Sequence, residues 1–424
     1  MGGISPHRSP SHRNLPLSHR DLPPLHRNLR GKGVLGGRKE SRTRSREARR
    51  FAQYTCTSHA MRTICASSAG GTKGNAVVKK VGDVQMVRDK ERRARAVAPL
   101  LVPERDQLPF ALGLEICGAG ARNNAKQRVS GAWTLHYVLE GCAEFKAGEK
   151  EEVELHLGAG DGLIIPPDVL RSLQPCQSST RAEEGKVDVE WEFASLVAYL
   201  PECLVDPHLA HKRRTSEALR VAQALVDEAW SRSDELGTLR QDQVVQMLEG
   251  AKRRHGSSSS EEDGESTDDG SEGWELDRTD GELVSLRKLK DVDTYQLPNQ
   301  TNRLALMFDP VRNQQINATF GVEVFEPGHI TPLHVHEDGY ELFFVLSGNG
   351  VGHFEGESFD LEPGSLAVFP PKTWHGIDNI NVERLYCLEL MLPNDMFAEL
   401  VRSGKPVGVL DDDDLCTLIN FGCG

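Results

Sequence analysis

Long apolar runs are missing from this sequence, and no stretch approaches the roughly 18 to 20 uncharged apolar residues that a membrane-spanning helix requires, so no membrane span is expected. Aromatic residues are few, at 6%, but with 38% hydrophobic and 27% charged residues the balance is that of an ordinary soluble chain, and nothing in it is collagenous. No Cys-x-x-Cys pair occurs. The nine cysteines are scattered and odd in number, which argues against a disulfide framework and reads as reduced thiols in a reducing compartment. A net basic balance is lacking outside the N-terminus. Residues 1–60 carry thirteen Lys and Arg against Asp21, Glu40 and Glu47, a net of +10, which leaves −23 on the rest of a chain whose total is −13. That acidic body excludes nucleic acid as a partner and favours a small molecule or another protein.

A chain of 424 residues has room for more than one core. Residues 1–95 read as a basic, low-complexity leader. Its first part repeats Ser-His-Arg-Asn-Leu-Pro-Leu, Ser-His-Arg-Asp-Leu-Pro-Pro and Leu-His-Arg-Asn-Leu, and the prolines forbid a long helix. Such an acid-poor leader fits a transit peptide to a chloroplast or mitochondrion, with disorder or an over-extended start before Met61 as the plainer alternative and a cytoplasmic protein as its consequence. Pro6 occupies the position where N-myristoylation needs Ser or Thr.

Short apolar runs broken by Gly and Pro then define a β domain over 96–205, for example Trp133-Thr-Leu-His-Tyr-Val-Leu-Glu-Gly141. Helical spacing of Leu219, Ala222, Leu225, Val226 and Ala229, and of Val244, Met247 and Leu248, marks a short helical connector over 206–252. Residues 253–283 are Ser-rich and acidic, and between Gly256 and Gly273 no large apolar side chain occurs, so a flexible linker is expected there. Strand texture returns over 284–400, followed by a tail, 401–424.

The chemistry-bearing segment is Gly328-His-Ile-Thr-Pro-Leu-His334-Val-His336-Glu-Asp-Gly-Tyr-Glu341-Leu-Phe-Phe-Val-Leu-Ser-Gly348. On extended backbone alternate side chains share a face, so His334 and His336 project together. The turn-forming Glu337-Asp-Gly339 resets the phase, letting Glu341 open the next strand and share an interior with Phe343 and Val345. A third histidine arrives in Gly364-Ser-Leu-Ala-Val-Phe-Pro370-Pro-Lys-Thr-Trp-His375-Gly-Ile-Asp-Asn379. Three imidazoles and a carboxylate suit one divalent transition metal, manganese(II) or iron(II) foremost, then nickel, copper or zinc. The two stretches resemble the paired signatures of the cupin superfamily, with the expected spacing at every metal position; Lys372 stands where the second signature usually has Gly. The resemblance implies small antiparallel jelly-roll barrels with the metal inside. Nearby, Tyr340, Phe343 and Trp374 are substrate-pocket candidates, although Phe343 and Trp374 read more often as core than as substrate platform and Tyr340 as either, and His329 and His353 read as surface histidines.

A weaker copy precedes it. Tyr137-Val-Leu-Glu-Gly141 aligns with Phe344-Val-Leu-Ser-Gly348, and Gly160-Asp-Gly-Leu-Ile-Ile-Pro166-Pro167 with Gly364-Ser-Leu-Ala-Val-Phe-Pro370-Pro371. The chain therefore resembles a bicupin, all-β in character, whose first metal positions become Gln127, Val129, Thr134 and Arg171. A valine and an arginine cannot ligate, so this half is expected to hold no metal. Arg171 reads first as a surface or ion-paired arginine, and second as an anion ligand in the vacated cavity; His136 reads as a structural histidine.

The ligand set resembles those of cupin dioxygenases, oxalate-degrading enzymes and some isomerases and lyases. Oxalate decarboxylase is expected to need a second metal set, so a single-site dioxygenase or lyase acting on a small oxygen-bearing molecule fits better. No separate acid, base or nucleophile motif stands out, and a metal-dependent binding or sensor protein is the alternative. Homodimers through barrel faces are expected of cupins, unless the two halves satisfy each other within the chain.

Overall fold

The computed structural model describes residues 75–89, 95–118, 126–176, 191–207, 215–230, 233–250 and 284–419. The leader before residue 75, where the targeting expectation falls, and the acidic linker 253–283 lie outside the described residues. What is described is mostly antiparallel strand, in two halves of the same design.

The N-terminal half is built on a sheet in the order Ser233–Thr238, Gln85–Asp89, Arg95–Leu101, Ala111–Gly118, Trp191–Pro201, Ala132–Ala147, Asp161–Ile165 and Ser285–Lys288. The far end of the long strand Ala132–Ala147 also pairs with Val153–Gly158 and Arg171–Pro175, which makes the second wall of a jelly roll. In the C-terminal half the corresponding sheet runs Val77–Lys80, Ser365–Phe369, Tyr340–Ser347, Leu385–Leu392, Thr319–Phe325, Arg303–Phe308, Thr294–Gln296 and Lys405–Gly408. Its second wall has four strands, His329–Ile330, His375–Asn379, Gly350–Phe354 and Glu357–Leu361.

Strand periodicity explains how each half buries two faces. Along Tyr340–Ser347, Leu342, Phe344 and Leu346 point to one side and Phe343 and Val345 to the other. The first set joins Leu114, Ile116, Leu135 and Tyr137 of the N-terminal half in a single buried cluster, so the two large sheets pack face to face. Phe110 and Tyr340 meet edge to face across this boundary at 5.8 Å, and Tyr137 and Phe320 at 6.0 Å. The second set packs with Phe325, Phe354, Phe369 and Ile377 inside the C-terminal half. Val138, Phe145, Leu163, Ile165 and Phe193 fill the N-terminal interior in the same way.

Each half also lends a strand to the other. Val77–Lys80 pairs with Ser365–Phe369, whereas Ser285–Lys288 pairs with Asp161–Ile165. Each loan is followed by one turn of 3-10 helix, Val81–Asp83 or Leu289–Asp291. The leader expectation is corrected here: residues 77–89, placed within 1–95, are strand and turn, because Val77, Val81, Val84 and Met86 supply the apolar positions that dock them.

The connector is corrected likewise, since between its helices Thr215–Trp230 and Gln241–Gly250 it contains the edge strand Ser233–Thr238. The helix Thr215–Trp230 lays Leu225, Val226 and Trp230 over Val129, Val197 and Tyr199, roofing the N-terminal half. Nor do residues 401–419 trail as a tail. Lys405–Gly408 extends the sheet edge, and the helix Asp412–Ile419 buries Asp414 against Arg303 and Arg384. Cys117, Cys142, Cys176, Cys203 and Cys387 are reduced thiols, but Cys416 is disulfide-bonded, which corrects the expectation that every cysteine is reduced.

Candidate metal centre

His334, His336, Glu341 and His375 converge inside the C-terminal half, each offering one atom within 4.8 Å of all the others. Backbone pairing sets this up. His334 and His375 exchange backbone hydrogen bonds of 3.1 Å, which ties the His-x-His segment to the strand His375–Asn379. Two residues on, the carbonyl of His336 accepts from the Lys372 amide at 2.7 Å. Glu341 lies opposite Phe369 near the start of its strand, on the interior side with Phe343 and Val345 as the alternation requires.

Two of the three imidazoles are oriented by carbonyls. A carbonyl can only accept, so Nδ1 of His334 donates to Pro332 O (3.0 Å) and Nδ1 of His375 to Thr373 O (2.8 Å). Each Nε2 is thereby aimed at Glu341, from 3.7 Å for His334 and 2.6 Å for His375. His336 Nε2, 3.5 Å from the other oxygen of Glu341, is buried and makes no hydrogen bond. The ring of His375 stacks on Phe369 at 4.6 Å, and Phe397 meets His336 edge-on at 6.1 Å.

Accessibility falls from the mouth inward. The side chain of His334 is 36% exposed, His336 11%, Glu341 3% and His375 1%. Burial by itself disfavours the charged form of Glu341, but the three imidazoles outweigh it and hold the carboxyl well below its ordinary range. Burial likewise pulls His334 down, yet its hydrogen bond to Glu341 and the charge of that group raise it to about 9. An orphaned buried imidazole nitrogen and a carboxylate encircled by imidazoles form a donor set that fits a divalent transition metal.

Two further acids lie close by. Glu323 sits among the apolar residues of Thr319–Phe325 and Glu389 among those of Leu385–Leu392, both buried on the interior side. Asn302 Nδ2 donates to Glu323, whereas neither carboxyl oxygen of Glu389 has a hydrogen-bond partner. Burial raises both, Glu323 to about 8 and Glu389 well above its ordinary value, with the negative charge of Glu341 adding to each shift. One signal in the sequence could have found them: a single acid at an inward position of an otherwise apolar strand.

The pocket candidates are not gathered. Phe343 is core, packed on Phe325 and Phe369. Tyr340 packs on Phe110 at the boundary between the halves, and Trp374 is 51% exposed. His329, read as a surface histidine, is buried between Thr301 and Thr331. His353 bonds Asp378 and Ser358. Lys372 adopts φ +66°, the left-handed conformation that glycine tolerates best, so the turn keeps its shape despite the side chain.

The N-terminal half repeats these connections with other residues. Gln127 and Arg171 exchange backbone bonds as His334 and His375 do, and the carbonyl of Val129 accepts from the Asp168 amide as that of His336 does from Lys372. Arg171 Nη2 donates to Thr134 Oγ1 at 2.8 Å where His375 meets Glu341. Among the described residues, the four of the C-terminal half are the one His/Cys/Asp/Glu group placed to hold a metal.

Residues 321–391 match the Cupin domain family. This segment is a cupin domain. It contains all four converging residues. An uncharacterized protein of Methanocaldococcus jannaschii is 38% identical over 53 residues, which is 12% of this chain and 42% of that protein's length. Among solved structures, oxalate decarboxylase from Bacillus subtilis superposes with a TM-score of 0.45 at 14% identity, over 77% of this chain and 78% of that one. A point mutant of the same enzyme gives 0.46 at 13%, over 83% and 86%.

Proposed function

We propose that His334, His336, Glu341 and His375 hold one divalent transition metal, manganese(II) or iron(II), and that the cupin domain is a single-site enzyme of dioxygenase or lyase type acting on a small oxygen-bearing molecule. The observation that carries this reading is the convergence of three imidazoles on one buried carboxylate, with His336 Nε2 left without a partner. When bound, the metal supplies Lewis acidity or activation of oxygen.

The protein's own groups do the rest. Carbonyls of Pro332 and Thr373 fix the rings of His334 and His375 before any ligand arrives. The partly exposed His334 marks the side from which a small molecule enters, while Phe325, Phe343 and Phe369 keep water from the floor. Glu323 and Glu389, beside the ligand carboxylate, add two groups able to hold a proton near a substrate.

Metal analysis of the purified full chain tests the site. About one metal per chain is expected, and His336→Ala should lose most of it while the circular dichroism spectrum is unchanged. Unaltered stoichiometry in that variant, or close to two metals per chain in the parent, would overturn the assignment. Iron accompanied by oxygen uptake favours the dioxygenase, manganese without uptake the lyase, and metal with no turnover of any small acid or diol a binding protein.

A further inference from the structure

We propose that the cavity of the N-terminal half, where the cupin domain has its metal ligands, is a binding site for a small monovalent carboxylate held by Arg171 and His136. The cavity has a volume of about 40 Å³ and is lined by Arg95, Glu115, Gln127, His136, Arg171 and Tyr199, among others. One water needs about 10 to 15 Å³ measured in this way, so there is space for a few heavy atoms, the size of formate or acetate.

Charge decides the sign of the occupant. Arg95 and Glu115 neutralise each other, Nε lying 2.5 Å from Oε1 and Nη2 donating to Oε2 at 3.0 Å. Arg171 is left over. It is 7% exposed, its Nη2 is spent on the uncharged Thr134, and its Nη1 is buried without a partner. Among the described residues no carboxylate lies within ion-pair distance of it, so the surface or ion-paired arginine favoured by the sequence is replaced by a buried, unmatched cation. Such a group is strongly disfavoured unless a counter-charge accompanies it.

A second orphan faces the same space. His136, also 7% exposed, has no partner at Nδ1. Burial foremost, with Arg171 and Arg95 acting against the attraction of Glu115, lowers its pKa to about 4. The imidazole is therefore neutral near pH 7 and able to donate one N–H. Two donors, one of them charged, match the two oxygens of a carboxylate, and a single excess positive charge matches one negative charge.

The test is thermal unfolding of the full chain titrated with sodium formate, against sodium chloride at equal ionic strength. Formate should raise Tm with the logarithm of its concentration above its Kd, by about 3 °C at a hundredfold excess. Arg171→Gln should abolish the rise, and His336→Ala, which removes the proposed metal site, should retain it. Loss in His336→Ala with retention in Arg171→Gln would locate formate at the metal instead and overturn the proposal; an equal rise with chloride would overturn the carboxylate. Should Arg171→Gln fail to fold, Thr134→Val frees Nη2 and is expected to tighten formate binding by about tenfold; an unchanged Kd would count against the site.

Discussion

The two halves place different side chains on the same rows of backbone. In the first row Thr134 lies between Tyr199 and Ile165, where the cupin domain has Glu341 between Met391 and Phe369. One row further in, His136 lies beside Val197 in the first half, and Phe343 beside Glu389 in the second. Glu115 and Glu323 close the series, opposite Ser195 and Cys387. The difference teaches that the frame specifies where interior side chains converge but leaves their charge free. One half gathers a carboxylate for imidazoles, the other a cation. Covering diverges too: the helix Thr215–Trp230 roofs Val129, whereas its counterpart His336 is faced by Phe397.

The comparison can be broken most severely at the boundary. Phe110 is fully buried and touches Tyr340 of the other half, so Phe110→Ala should cost about 3 to 5 kcal/mol and lower one shared unfolding transition rather than splitting it. Two separated transitions in differential scanning calorimetry would show that the halves do not fold as one.

A smaller effect separates the two interiors by pH. The folded pKa of His136, about 4, lies below its unfolded value of about 6.5, so its contribution is complete above pH 6.5 and is lost as the pH falls through 4. Acidification over that window should remove up to about 3 kcal/mol, and His136→Phe, the residue found at the equivalent position 343, should flatten this part of the stability curve. Denaturant unfolding between pH 7 and pH 4 reads it. A parallel curve in the variant would place the acid sensitivity elsewhere.

The smallest effect concerns a turn common to both halves. Asp168 and Lys372 occupy the same position at φ +62° and +66°. Lys372→Val should destabilise by about 1 to 2 kcal/mol, since a branched Cβ is disfavoured there, while Lys372→Gly should be close to neutral because relief of strain offsets the added freedom of the unfolded chain. Chemical denaturation of the pair distinguishes strain from a specific role for the lysine, which would make glycine the worse substitution.

Much of this pairing is legible in the sequence. Gly141 and Gly348 anchor the aligned Val-Leu-x-Gly segments because both sit at φ +80° with a neighbouring strand too close for a Cβ. The positions Gln127, Val129, Thr134 and Arg171 follow, and the backbone bonds agree with them. What escapes has physical reasons. Val77–Lys80 and Ser285–Lys288 are four-residue strands with two charged residues in one and two in the other, and their stability comes from a sheet edge far away in sequence. Arg171 reads wrongly because its burial depends on the wall and roof around it, which its own segment does not announce. Glu323 and Glu389 stand out as lone acids in apolar strands, but their strands are far apart in sequence and only the sheet sets them beside Glu341.

The exchange of strands also bears on the order of events in synthesis. Val77 finds Val368 only after nearly three hundred intervening residues have left the ribosome, and Asp161 must wait for Lys288. Neither half can close its sheet from its own contiguous segment, so folding is expected to be slow, dominated by contacts of long sequence separation, and completed for both halves together. A start codon placed after Lys80 would therefore injure the half that carries His334, His336, Glu341 and His375, at the opposite end of the gene from the cut.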